Sequence, residues 1–208
     1  GPVDPEGRPF DMLHVVVNFA NVGATFGERV AHRAHSRFDY EGVRRCVRHL
    51  VEKGLSVIGV VYENFRAMDG CRPEVMTVPP DIRAMCESIE LTPRITGFHQ
   101  KSADDEMTIK CAYRRNCRFL DNDNYKEWLR FLKDEKVRTW LQSCQSILQM
   151  RYYFDTGLGT FDTLDGNLDP SFFEQAPATA ALSSPSAAVG LVATRSIDFD
   201  GHGAEGTG

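Results

Sequence analysis

Apolar residues fall into two kinds of run along this chain. HVVVNFANVG, residues 14–23, and LSVIGVVYE, starting at Leu55, are continuous hydrophobic stretches of strand length. Between them, FDYEGVRRCVRHLVEKG spaces its apolar positions as a helix does. The first strand is expected over Leu13 to Val17, breaking at Asn18 into a small polar turn of Phe19, Ala20, Asn21, Val22 and Gly23. In the helical segment Val43, Val47, Leu50 and Val51 share a face, while Arg44, Arg45 and Arg48 fall on solvated positions. Asp39 is the expected N-cap and Gly54 the expected C′ residue. Continuous apolar strands flanking an amphipathic helix are the signature of a parallel sheet covered on both faces, so an α/β fold is expected.

The rest of the chain continues in that manner. Residues 66–78 read as a loop, and Pro79-Pro80-Asp81 opens a helix through Ile82, Met85 and Ile89. A short strand is expected from Ile95 to Phe98, then a helix capped by Ser102 with Met107 and Cys111 on one face. Arg118 to Leu120 reads as a strand, followed by a polar turn and a helix carrying Trp128, Leu129 and Leu132 inward. Ser146 to Phe154 alternates as a further strand, at an edge. Residues 1–11, with three prolines, are expected to form an arm, residues 12–175 the folded domain, and residues 176–208 a low-complexity, flexible tail. There is no internal repeat.

Composition narrows the class. No apolar run approaches a membrane span, and no basic-then-apolar leader opens the chain. Gly1-Pro2 reads as the scar of a cleaved purification tag, with any natural targeting signal removed alongside it. The six cysteines lack a CxxC pair and suit reduced thiols in a cytoplasmic or nuclear setting better than disulfides or zinc. The net charge of −5 conceals an asymmetry: residues 155–208 hold eight acids against Arg195 alone, which leaves the preceding part mildly basic.

Candidate chemistry gathers at the expected strand ends. The first ends in Asn18 and Asn21, the helix near residue 104 opens with Asp104-Asp105, and the strand ending at Leu120 runs into Asp121-Asn122-Asp123. In a parallel sheet the carboxyl ends of the strands lie along one edge, where ligands bind. Clustered Asp and Asn without His or Cys is the ligand set of a hard divalent cation such as Mg²⁺, which lowers the pKa of a bound water and offsets charge on a phosphate. Each acid taken alone reads better as a helix cap or a turn residue than as a catalytic group.

HVVVNFANVGATFG, ADDEMTIKCAY and FLDNDNYKEWLRF, in this order, resemble the NYN branch of the PIN-like ribonucleases. The nearest subgroup is the Regnase type, the monocyte-chemoattractant-protein-induced protein family, and the resemblance covers about residues 12 to 167. Its first motif reads V-I-D-G-x-N-V. In its second, Asp104, Asp105, Lys110, Ala112 and Tyr113 coincide; in its third, S-N-D-x-Y-x-[DE], Asn122, Asp123, Tyr125 and Glu127 coincide, with Asp121 in place of the serine. The resemblance implies a doubly wound, mostly parallel sheet with helices on both faces, and Mg²⁺- or Mn²⁺-dependent endoribonuclease chemistry on single-stranded or stem-loop RNA, as in RNA processing and mRNA decay. It implies Asp105 and Asp123 as metal-facing carboxylates with Asp104 beside them, and Asn21 as the organiser of the site. It also implies a homodimeric or paralogous partner.

Asn18 stands where that family has its first catalytic aspartate. Asparagine is nearly isosteric but lacks the charge and adds an NH₂ donor, so the fold should survive while metal affinity and catalysis fall. Either the exchange was introduced to silence the enzyme, or it is natural. In the second case the chain is a non-catalytic RNA-binding or scaffold subunit of an RNA-processing or silencing complex. For RNA phosphates, Arg29, Arg33 and Arg37 follow motif one, and Lys101, Lys110 and Arg114 flank motif two. His32 and His35 lack a third ligand. Phe19, Phe26, Tyr62 and Phe65 read either as base-stacking or as buried aromatics, and Gly157-Leu158-Gly159 is too bare for a phosphate loop.

Overall fold

In the computed structural model the described residues are 1–32, 38–61, 78–92 and 103–164, without the side chains of Glu127 and Phe131. The loop over residues 66–77, the strand expected at Ile95–Phe98, the Ser102 cap and the tail from Ala176 lie outside them, as do Tyr62, Phe65 and His35.

Five parallel strands form the main sheet in the order β3-β2-β1-β4-β5: β1 (Asp11–Asn18), β2 (Ser56–Val61), β3 (Ser88–Leu91), β4 (Cys117–Leu120) and β5 (Gln149–Met150). The helices are α1 (Phe19–Arg29), α2 (Tyr40–Glu52), α3 (Pro80–Met85), α4 (Ala103–Arg115), α5 (Lys126–Phe131) and α6 (Glu135–Leu148). A separate antiparallel pair, β6 (Tyr152–Phe154) and β7 (Phe161–Thr163), ends the described chain.

The strands alternate between two cores. Val15, Val17, Val57 and Leu120 face α1, α2, α3 and the β6–β7 pair. Val16, Ile58, Val60 and Phe119 face α4 and α6. The sheet is thus wound on both faces, as the continuous apolar strands require. Each fully buried Val or Ile of these strands contributes roughly 1.5–3 kcal/mol by leaving water. The order also has a switch point: from β1 the chain builds outward through β2 and β3, then returns to place β4 on the other side of β1. In such sheets the crevice for ligands opens at the carboxyl ends of the two strands flanking the switch. Here those ends are Asn18 and Asp121, level with each other because Val17 pairs with Leu120.

Several local expectations change. The turn after Asn18 is a helix, α1, because Asn18 caps it directly and Phe19, Val22 and Phe26 all bury themselves along one face. Phe19 and Phe26 are therefore core residues. The segment from Pro80 is helical only to Met85, and Ile89 lies on β3, packed against the first core. Residues 146–148 finish α6, a helix the strand reading of Ser146–Phe154 missed; only Gln149–Met150 and Tyr152–Phe154 are extended. On α2 the fourth inward position is Cys46, while Val51 is 39% exposed. The Asp39 cap and the left-handed Gly54 (φ 81°) are where the sequence puts them. Residues 1–11 fold back through a turn in which buried Asp4 accepts from the backbone N–H of Glu6 and Arg8, and Asn116 then holds the carbonyls of Arg8 and Pro9. The described cysteines are free, and no described helix is long and apolar enough to cross a membrane.

Candidate active site at the sheet switch point

Asn18 is fully buried at the end of β1 and meets two demands at once. Its Oδ1 accepts from the backbone N–H of Asn21 (3.2 Å), which caps α1, and its Nδ2 donates to Asp105 Oδ1 (3.0 Å). The amide orientation follows from these partners, since a backbone N–H needs an acceptor and a carboxylate needs a donor.

Asp104 and Asp105 sit in the first turn of α4, where the unpaired N–H groups and the positive end of the helix favour carboxylates. That help is outweighed. Burial, reinforced by repulsion from Asp104, Asp121 and Asp123, pushes Asp105 up to about 8, against the opposing bond from Asn18. Burial also raises Asp104, with Asp123 adding to it and the Asn18 amide tempering it.

The β4 end supplies the other half. Asp121 is fully buried; it accepts from the Tyr125 hydroxyl, from Gln149 Nε2 (3.0 Å) and from the Asp123 N–H (3.2 Å). Burial still pushes it up to about 7. Gln149 Nε2 also reaches the Asp123 carbonyl (2.7 Å), and Asp123 Oδ1 accepts from the Tyr125 N–H (3.3 Å), which fixes the half-buried Asp123 on its loop. Tyr125 enters α5 from a left-handed conformation (φ 54°), a bend that this web of bonds holds in place.

Asn21 ties the two halves together. Its Oδ1 accepts from the Asn122 N–H (3.2 Å) and from the Tyr152 hydroxyl (2.7 Å), and that hydroxyl also meets Thr25 Oγ1 (3.0 Å). Asn122 in turn pairs with the Tyr152 backbone in both directions, Nδ2 to O at 3.0 Å and N to Oδ1 at 3.1 Å.

The structure therefore brings Asn18, Asn21, Asp104, Asp105 and Asp123 into one electrostatic neighbourhood, although they span more than a hundred residues of chain. Asp121, Gln149 and Tyr152 also belong to it. The sequence signal for Asp121 was its place one residue past a buried strand, level with Asn18; Gln149 and Tyr152 gave none. Of the basic candidates, Arg29 is exposed in the last turn of α1 and its charge bears on the Tyr152 phenol. Lys110 is bonded to Glu106 (2.5 Å), one turn back on α4. Arg114 is exposed in the last turn of α4, ten residues beyond Asp104 and so about 15 Å further along the helix axis. Arg33, Arg37 and Lys101 lie outside the described residues.

The donor set is hard oxygen, which matches Mg²⁺ or Mn²⁺ rather than a softer metal. Among the described residues no group of three or more His, Cys, Asp or Glu side chains is disposed to hold a metal ion. Mg²⁺ needs only one or two protein carboxylates, because it keeps several waters.

The sequence matches the Zc3h12a-like Ribonuclease NYN domain over residues 11–164, which takes in all the elements from β1 to β7. Among curated proteins none matches significantly. In structure the chain is similar to nuclear proteinaceous RNase P 2 (PRORP2) from A. thaliana, with a TM-score of 0.50, 16% identity, and coverage of 74% of this chain and 29% of that one. A second structure, Arabidopsis thaliana nuclear protein-only RNase P 2 (PRORP2), gives a TM-score of 0.47 at 15% identity, again over 74% of this chain and 29% of that one. At such identity the first likeness speaks to the fold alone, and this chain spans less than a third of that relative's length. The match across the whole described domain, and the three polar segments it carries to one sheet edge, make this chain a member of the Zc3h12a-like ribonuclease NYN domain family.

Proposed function

We propose that this chain is a metal-dependent endoribonuclease domain acting on single-stranded or stem-loop RNA, silenced at Asn18. The observation that carries the reading is the Asn18 amide donating to Asp105 at the switch point, where a carboxylate would otherwise join the acids. Family membership supplies the substrate class, and the clustering of Asp104, Asp105, Asp121 and Asp123 supplies the support for a cation. Asp104, Asp105 and Asp121, raised by burial and by the neighbouring charge of Asp123, make a site short of positive charge, which a divalent cation would relieve.

In the active form Asp105 and Asp123, with a carboxylate at position 18, would hold Mg²⁺ or Mn²⁺. Asp104 would act beside them or through water. When bound, the metal lowers the pKa of a water and offsets charge building on the scissile phosphate. The residues of this chain set the stage. Asn21 fixes the loop of Asp123 against the start of α1, and Asp121, held by Tyr125 and Gln149, keeps that loop from relaxing. As written, the amide at position 18 removes one negative charge from the cation's surroundings.

A second reading has its own support. Both hydrogen-bonding ends of the Asn18 amide are satisfied, which suits a natural pseudo-nuclease that binds RNA, or scaffolds a homodimeric or paralogous partner, without cutting. One comparison separates the two. This chain and Asn18→Asp are incubated with labelled single-stranded RNA and Mg²⁺ or Mn²⁺. Cleavage by the Asp variant, lost again on adding Asp123→Ala, supports the silenced nuclease. RNA bound by both and cut by neither supports the pseudo-nuclease instead.

A further inference from the structure

One basic side chain reaches the Asp123 loop from outside all three motifs. Arg151, between β5 and β6, is exposed, and its Nη1 donates to the carbonyl of Asn122 (3.2 Å), the residue before Asp123. Its backbone is fixed on both sides. The Arg151 carbonyl accepts from the Leu164 N–H (2.7 Å), and the next residue, Tyr152, is held by Asn122 at both its N–H and its carbonyl. Through its hydroxyl Tyr152 is also anchored to Asn21. Arg151 is thereby tied to the motif-three loop and, through Tyr152, to the start of α1, beside the acid cluster.

A guanidinium carries five N–H donors in a planar fork suited to phosphate, and the bond to Asn122 engages one of them. Two residues on, Tyr153 is the outward-facing residue of β6 and is 46% exposed. A guanidinium for phosphate next to an aromatic face for a base is the pairing that grips single-stranded nucleic acid. Lys110 and Arg114, which sequence proximity to motif two singles out, are less suited. The first is bonded to Glu106, and the second is at the far end of α4.

We propose that Arg151 is a phosphate-binding residue for single-stranded RNA at this site, with Tyr153 as the adjoining surface on which a base stacks. The proposal rests on the RNA reading given above and needs no cleavage. Its test is the anisotropy of a labelled single-stranded RNA titrated with the chain as it stands, repeated across a range of salt. Arg151→Ala should weaken binding several-fold and reduce the slope of log K against log salt by about 0.7, the value for one phosphate contact on a single strand. Arg151→Lys should keep the slope with intermediate affinity, and Tyr153→Ala should weaken binding without changing the slope. Arg48→Ala, on the solvated side of α2, should match the parent. RNA binding by the parent with affinity and slope unchanged in Arg151→Ala would overturn this proposal alone. No RNA binding by the parent at all would overturn the RNA reading, and this assignment with it.

Discussion

An aspartate at position 18 would keep the cap on α1, since a carboxylate oxygen accepts from the Asn21 N–H as well as an amide oxygen does. Above about pH 8, where Asp105 is ionised, it would lose the bond to Asp105 and set a second negative charge against it. Without metal, Asn18→Asp should therefore lower stability by about 1–3 kcal/mol, the cost of losing a buried bond to a charged group. Thermal melts in EDTA and in Mn²⁺ check this: the variant should regain more from the cation than the parent does, and equal gains would count against a metal at this place. The raised acids also fix a pH dependence. A carboxyl whose pKa is higher folded than unfolded binds its proton more tightly in the native state, so stability falls as pH rises from about 4 to about 8 and levels off above it. Denaturation midpoints at acidic and mildly alkaline pH should show that fall, and Asp105→Asn should flatten it. Asn18 itself was legible in the sequence as the odd residue at a strand end. Its bond to Asp105 was not, because a separation of 87 residues leaves no local trace.

Among the elements, α1 and α2 approach through glycine. A Cβ on Gly42 would come within 2.3 Å of the Phe26 Cβ, an atom with no freedom to move aside. Gly42→Ala should destabilise by about 1–3 kcal/mol despite alanine's better helix propensity, because overpacking outweighs a gain of about 1 kcal/mol. Urea denaturation measures it, and a stabilised variant would mean the helices can part without loss. The clamp between α1 and the Asp123 loop yields a second expectation. Tyr152→Phe keeps the ring stacked on Phe161 (5.5 Å) but removes the hydroxyl from Asn21 and Thr25. It should cost about 1 kcal/mol and speed hydrogen exchange at the Asn122 amide; unchanged exchange there would show that Asn21 needs no help from Tyr152. What the pattern revealed of the elements follows from their physics. The β1 and β2 runs, buried on both faces, and the capped, amphipathic α2 declare themselves locally. The helix α1 hides because its capping residue is also the last of a strand. The end of α6 hides because Ser146–Leu148 followed by Gln149–Met150 alternates as a strand would.

For the molecule as a whole, the strand order converts three separated polar segments into one site. Asn18 and Asp121 are level across the switch point because β4 returns to the side of β1 opposite β2, and α4 delivers Asp104 and Asp105 from the face above. Sequence could propose that convergence only through topology, which the continuous apolar strands implied and the resemblance filled out. The parts it could not supply, Asp121 as a buried acid and Tyr152 and Arg151 on the flank, come from segments the three motifs leave out or treat as a turn. The account stands or falls on position 18. Single-turnover cleavage of a labelled single-stranded RNA in Mn²⁺, comparing Asn18→Asp with the present chain, should show a gain of roughly 100-fold or more, since several kcal/mol of charge stabilisation is at stake at about 1.4 kcal/mol per tenfold. Equal rates in the two proteins, whether both cut or neither does, would contradict it.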